Sequence, residues 1–289
     1  MINKQLLKKR FNNHAKTYDA YADVQKNMAN QLIDQLSTNS FNQEIAILEI
    51  GCGTGYLTQL LCEKFPKAAI TAVDLSSGMI DLAKKKVTED RVSFICEDIE
   101  ELRIEKHYDL IISNATFQWF NSLHTTIKKL YKQLKPTGRL LFSTFGNRTF
   151  KELHSCYSHA KQKLGLFSNS SPGQSFFSLD ELSQICEQAL VPLREHPFKL
   201  SKMEKLEIQY FPTVQGFFKS IKKIGASNSN EESYCQRPSF FRELINLYEN
   251  DYRNENGIKV TYHCLIFNVT KTNHSQSCPD YSLEVMDCS

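Results

Sequence analysis

The sequence holds no apolar run approaching the ~20 residues of a membrane-spanning helix, so a bilayer-embedded protein is not expected. Neither sign of charge is in excess. The 35 Lys and Arg against 32 Asp and Glu leave a net charge of +3. That balance is too mild to argue for nucleic acid. The nine cysteines contain no C-x-x-C pair and no cluster with histidine. Such scatter, with an odd count, offers neither a disulfide framework nor zinc-ligand spacing. It reads as free thiols in a reducing cytoplasm. Met1 to Arg10 is charged and lacks an apolar segment, so no secretory signal is expected. What remains is an ordinary globular composition, 41% hydrophobic and 23% charged over 289 residues. That length suits one domain with an elaboration.

The most informative stretch is 45–55. Ile45-Ala46-Ile47-Leu48-Glu49-Ile50 reads as a buried parallel strand. Gly51, Gly53 and Gly55 follow, and Leu57, Leu60, Leu61 and Phe65 then recur at helical spacing. Strand, glycine turn and helix make the first half of a nucleotide-binding βαβ unit, in which backbone N–H groups face a ligand at a helix N-terminus. A nicotinamide fingerprint would need glycine at position 56, which is Tyr56. Glu49 would also be a poor neighbour for a diphosphate and suits a cationic ligand better. Asp74 closes a second strand, 19 residues after Gly55. It matches the acidic residue that accepts from ribose hydroxyls, although it could instead cap the next helix. Further strands are expected at 92–96, 108–114, 139–145 and 257–267, with a β-like stretch from Phe198.

Glu49-Ile50-Gly51-Cys52-Gly53-Thr54-Gly55 resembles E/D-x-G-x-G-x-G, the first motif of the class I S-adenosylmethionine methyltransferases. The resemblance implies an α/β fold, a Rossmann-like doubly wound sheet. It implies S-adenosylmethionine as cofactor, S-adenosylhomocysteine as product, and no metal. Glu49, Gly51 and Gly53 would lie at the cofactor, with Asp74 and Leu75 on its ribose side. Met79 would pack on the adenine, Asp98 would take its amino group, and Ile99 would back the ring. Met79 could equally be core, and Asp98 a surface residue.

The end of the fourth strand, Asn114-Ala115-Thr116-Phe117, lacks the D/N-P-P-Y/F tetrad of amine methylases, and no cysteine nucleophile stands nearby. It argues against a nucleic-acid substrate. Asn114 to Trp119 resembles instead the S-N-A-x-x-Q-W of the malonyl-acyl-carrier-protein O-methyltransferases of biotin synthesis, and of the related trans-aconitate methyltransferases. Asn114 and Phe117 would then join the cofactor set, with Gln118 and Trp119 at the substrate. A lone Trp in this place can also be core. Phe11 to Gln25 resembles the F-x-x-x-A-x-x-Y-D-x-x-A-x-x-Q segment of the same branch. This implies lid helices in residues 1–40, with Phe11, Tyr18 and Gln25 over the cofactor and Tyr18 reaching the methyl group. An amphipathic helix with Phe11 and Tyr18 as packing residues is the alternative.

The expected organisation is a cofactor-binding core at 41–145, then a mostly helical cap inserted after strand five at 146–200, which carries substrate choice. Residues 201–272 complete the sheet, and 273–289 form a polar tail. Thr137 departs from the usual glycine in the turn before strand five.

The resemblance implies methyl transfer to the free carboxylate of a malonyl thioester, on acyl-carrier protein or coenzyme A. The methyl ester would prime pimeloyl synthesis. The alternative is a small free polycarboxylic acid of the trans-aconitate type. A carboxylate with pKa near ~4 is already ionised and needs no general base, in keeping with the absence of a His-Asp or Cys-His constellation. Arg148, just beyond strand five, is the expected carboxylate binder, because a guanidinium is planar and bidentate. Lys199, Lys202, Lys219, Lys222 and Lys223 are expected to dock an acidic carrier, although such a run can be only a solvated face.

Overall fold

A computed structural model describes residues 1–36, 44–166, 172–193, 197–226 and 238–272. The expected polar loop at Ser37–Ser40, part of the loop at 168–175 and the tail at 273–289 lie outside the described residues.

The β-branched run at the centre forms β1 (Ala46–Ile50), which pairs in parallel with β2 (Ala69–Asp74) and β4 (Tyr108–Ser113). β3 (Val92–Cys96) flanks β2, and β5 (Leu134–Phe145) flanks β4, both in parallel. β6 (Phe198–Phe211) forms the far edge. The antiparallel β8 (Gly257–Lys271) lies between β5 and β6, giving the order β3-β2-β1-β4-β5-β8-β6; a short β7 (Arg253–Asn254) pairs with β8. This is the doubly wound α/β sheet expected from the sequence.

Period-two alternation sends each strand's side chains to two layers. Ile47, Leu110, Ile112, Leu141 and Ile266 meet α2 (Asp23–Asp34) and α3 (Tyr56–Lys64). Leu48, Ile111, Leu140, Leu265 and Phe267 face the opposite layer, α5 (Leu123–Lys132) and α7 (Leu179–Leu190). α4 (Ser77–Lys86) follows β2, N-capped by the Ser76 hydroxyl. α1 (Lys4–Tyr18) is N-capped by Asn3 and crosses the carboxyl edge of the sheet. It is tied down there by Asn12 Oδ1, which accepts from Gly78 N at 2.8 Å and Ser76 Oγ at 2.6 Å. At its start Lys4 pairs with Asp98 at 3.1 Å and Glu100 at 2.6 Å.

The cap differs from the single insertion expected at 146–200. α7 belongs to the sheet layer: its apolar stripe, Leu182, Cys186, Ala189 and Leu190, is buried in the core cluster against α5. α6 (Lys151–Lys163) does lie beyond the sheet edge, where it joins α8 (Val214–Lys223) and α9 (Pro238–Tyr252) from the β6–β8 connection. The reason lies in strand length. β8 pairs with β5 only over 264–270, so 257–263 run on beside β6, about 20 Å past the end of β5. That ribbon gives both insertions one apolar surface, Ile258, Val260, Tyr262 and Cys264, to cover.

Candidate active site

Two cavities open above the carboxyl ends of the parallel strands. The first spans about 660 Å³ and the second about 800 Å³, each with the solvent at its mouth included. Phe11, Tyr18, Ala115 and Trp119 line both, and so form the wall between them. The Phe11 ring meets Trp119 edge-on at 5.8 Å and Tyr18 at 6.5 Å. Tyr18 is half-buried. Burial, with the nearby Asp74 and Asp19 carboxylates, pushes its phenol far above the ordinary value. It is therefore a neutral hydrogen-bond donor rather than a base.

The first cavity is built from strand ends. Gly51 sits at φ +70°, and a Cβ there would fall 2.0 Å from Thr116 Oγ1. Gly53, at φ +54°, faces open space with no atom within 4 Å of a built Cβ. A side chain would fill the space into which the turn presents its backbone. The Asp74 carboxylate accepts from Gly53 N at 2.9 Å and Ser76 N at 2.8 Å. Burial nevertheless pushes its pKa up to about 6. Each oxygen keeps further acceptor capacity, and Asp74 lines the cavity. Leu75, Met79, Asp98, Ile99 and Asn114 line the same space. Asn114 is held by Ser143 Oγ at 2.6 Å and by its own donation to Gln25 O at 2.9 Å. Its neighbour Ala115 is at φ +49°, in the left-handed region that non-glycine residues rarely adopt. Open glycine backbone, a half-buried carboxylate beside it and an apolar bed suit a nucleoside joined to a cationic group.

The structure does not bring every expected residue there. Glu49 points to the α3 face by strand alternation, beside Thr58, while Ile50 faces the cavity. It is 1% exposed, with neither carboxylate oxygen partnered among the described residues, and burial pushes its pKa up to about 8. Phe117, in the 3₁₀ turn Phe117–Trp119, stacks on Phe142 at 3.8 Å within the core instead of lining the cavity. Gln25 lines the second cavity, not the first. Lys4, Thr116 and Phe120, which no sequence motif marked, do line the first.

The second cavity is walled by Phe145, Phe150, Leu153 and Phe176, with Gln118, Gln174, Thr149 and Tyr262 as polar groups. No Lys, Arg or His is among its described lining residues. The Gln118 amide is already engaged: Nε2 donates to Ala115 O at 2.7 Å and Oε1 accepts from Thr144 Oγ1 at 2.8 Å. Gln174 Nε2 donates to Gln118 O, while its Oε1 is buried without a described partner. The Tyr18 and Tyr262 hydroxyls have no protein partner among the described residues, and burial also keeps Tyr262 neutral.

Arg148, the expected carboxylate binder, does not line this cavity. Its guanidinium pairs with Glu204 at 2.7 Å, and His263 meets the same carboxylate at 2.8 Å. The loop after β5 turns it toward the β6–β8 ribbon, where its backbone N–H donates to His263 Nδ1 at 3.3 Å. Lys199 and Lys202 are also elsewhere. Lys199 pairs across β8 with the level of Arg139, six residues and about 20 Å before Phe145. Lys202 bonds Ser183 Oγ at 2.9 Å on α7.

Residues 47–138 match the family profile of a methyltransferase domain. Among curated proteins, the chain is 90% identical over 273 residues to the malonyl-[acyl-carrier protein] O-methyltransferase of Priestia megaterium, covering 94% of this chain and 100% of that one. It is 48% identical over 272 residues to the protein of that name from Bacillus anthracis, covering 94% and 98%. Among solved structures, the YcgJ protein of Bacillus subtilis shares the fold, with TM-score 0.53 at 15% identity, over 86% of this chain and 98% of that one. The chain belongs to the malonyl-[acyl-carrier protein] O-methyltransferase family of class I, Rossmann-like methyltransferases.

Proposed function

We propose that this protein transfers a methyl group from S-adenosylmethionine to the free carboxylate of a malonyl thioester, and that its working acceptor is the thioester on an acyl-carrier protein. The observation that carries this reading is the shared wall. One cavity has the polar floor of a nucleoside site, the other is apolar and uncharged, and they meet at Phe11, Tyr18, Ala115 and Trp119. When bound, S-adenosylmethionine supplies a methyl group on a cationic sulfur. Gly51, Gly53, Asp74, Met79, Asp98 and Asn114 are the residues that would hold it.

The protein's own part is alignment and exclusion of water. A carboxylate arrives ionised and needs no base. Tyr18, held neutral, donates a hydrogen bond from the shared wall, and Tyr262 offers a second donor. Neutral donors orient a carboxylate without quenching its charge. A guanidinium would bind it more strongly and leave it a poorer nucleophile. The aromatic walls keep water from the acceptor oxygen. A free tricarboxylic acid fits less well, because three charges would enter a cavity whose described lining holds no cation. Free cysteines among the described residues and the absence, among them, of a helix able to cross a membrane accord with a cytoplasmic setting.

Transfer of a labelled methyl group tests the reading, with malonyl-carrier protein, malonyl-coenzyme A and trans-aconitate offered side by side. A base-labile methyl ester on the malonyl thioesters, with the carrier preferred, is expected. Transfer to trans-aconitate alone would overturn the acceptor assignment.

A further inference from the structure

α1 and α8 together span 25 residues and carry Lys4, Lys8, Lys9, Arg10, Lys16, Lys219, Lys222 and Lys223 without one Asp or Glu. The whole chain is nearly balanced, at 35 basic against 32 acidic residues. Eight bases on two elements that carry no acid of their own are a local concentration of charge.

The two helices adjoin. Thr17 Oγ1 donates to Lys223 O at 2.7 Å. Gly225, just past α8, is at φ +74°, and a Cβ there would sit 3.2 Å from Arg10 O and from Phe11 Cδ1. The same helices wall the acceptor cavity, through Phe11 and Tyr18 of α1 and Ile221 of α8. Of the basic residues, Lys4 is neutralised by Asp98 and Glu100. Lys8, Lys9, Lys16, Lys219 and Lys222 are exposed, and none has an acidic partner among the described residues.

We propose that the α1–α8 face is the docking surface for an acidic carrier protein, and that the β6 lysines Lys199 and Lys202 take no part. The proposal rests on the malonyl-thioester reading above. An uncharged, apolar cavity suits a thioester and the amide-bearing arm behind it. A protein that presents such an arm must itself be met outside the cavity, by whatever surrounds the mouth. Here exposed lysines stand on two of the helices that form the cavity wall, while the acids Asp19, Asp23 and Glu207 lie nearer its Tyr18 and Tyr262. Charge complementarity of this kind sets encounter rate and KM, weakens with salt, and leaves the chemical step alone. Lys199 stands on the edge strand at the opposite end of the sheet, and Lys202 is turned onto α7. α1 thus has two faces of use. Phe11 and Tyr18 line the site, and Lys8, Lys9 and Lys16 are exposed to solvent.

The test pairs two readouts on the full chain. Binding of the malonylated acidic carrier is measured by fluorescence anisotropy, and methyl transfer is measured on malonyl-pantetheine, which has the arm but no protein. The variant K8E/K9E/K222E should bind the carrier at least about tenfold more weakly and lose most of the salt dependence. Its turnover of malonyl-pantetheine should stay within about twofold of the native protein. K8R/K9R/K222R should restore carrier binding, and K199E/K202E should leave it unchanged. Undiminished carrier binding by K8E/K9E/K222E, or weakened binding by K199E/K202E, would overturn the proposal. The reaction reading fails differently. A native protein that binds the carrier yet methylates no malonyl thioester would remove the assigned chemistry and leave the docking surface standing.

Discussion

The cofactor and acceptor cavities share four residues and little else in their construction. The first is assembled from the ends of β1, β2, β3 and β4, each followed at once by the residues that line it. Its partners are close in sequence or fixed by neighbouring strands, and its polar groups include carboxylates and backbone beside the neutral Asn114 and Thr116. The second takes its walls from α1, α2, the loop after β5, residues 172–176, α8 and β8. Its polar groups are neutral hydroxyls and amides. A site that grips a cationic cofactor uses carboxylates and bare backbone. A site that must leave a carboxylate reactive uses apolar walls and weak donors.

The sharpest way to break the first half is Gly51→Ala. The new Cβ would fall 2.0 Å from Thr116 Oγ1 at a positive φ, so both sterics and backbone oppose it. Cofactor affinity measured by calorimetry should fall by roughly 100-fold or more. A value within threefold of native would mean that the turn is not shaped as described.

Asp74→Ala should weaken cofactor binding by about 1–3 kcal/mol, through lost charge-assisted hydrogen bonds. pH sharpens the point. With the ligand-free pKa raised to about 6, Asp74 is ionised above that pH and protonated below it. Hydroxyl donors favour the ionised form, so affinity should be full above pH 6 and decline toward tenfold per unit below it. Asp74→Asn should flatten that profile. An equal slope in native protein and variant would assign the titration to another group.

Tyr18→Phe strikes the wall between the cavities. With a neutral phenol acting only as donor, kcat should fall roughly tenfold while the cofactor dissociation constant moves less than about threefold. Full turnover would reduce Tyr18 to packing. The smallest effect belongs to Arg148→Ala. Its ion pair with Glu204 is 44% and 41% exposed and lies outside both cavities. Stability should change by less than about 1 kcal/mol and KM for the malonyl thioester by less than twofold. A large rise in KM would return Arg148 to the acceptor site.

Most of the cofactor half could be read from the chain. Gly51, Gly53, Asp74, Leu75, Met79, Asp98, Ile99 and Asn114 were all expected, and all line one cavity. Spacing announced them because a parallel strand delivers its ligand-facing residues at its own end. Glu49 shows the limit: one position from Ile50 puts it on the other face. Phe117 shows another: in the same short 3₁₀ turn its ring stacks on Phe142 in the core, while Trp119, two residues on, lines the cavity. Neither Tyr262 nor Gln174 carried any signal: Tyr262 reaches the acceptor cavity only once β8 runs beside β6, and Gln174 only once the segment before α7 meets Gln118.

The sequence alone determined the class of fold, the glycine turn, the carboxylate at the end of β2 and the helical segment that carries Phe11 and Tyr18. All of these are local, written in hydrophobic period and in residues whose conformational needs are narrow. Tertiary structure alone decided that the cap is assembled from two separate insertions. It turned Arg148 outward to Glu204, left the acceptor cavity without a described cation, and laid α1 beside α8. Those outcomes depend on contacts between residues a hundred or more positions apart. Side-chain direction there is set by which surfaces must be buried together, and no local pattern encodes it.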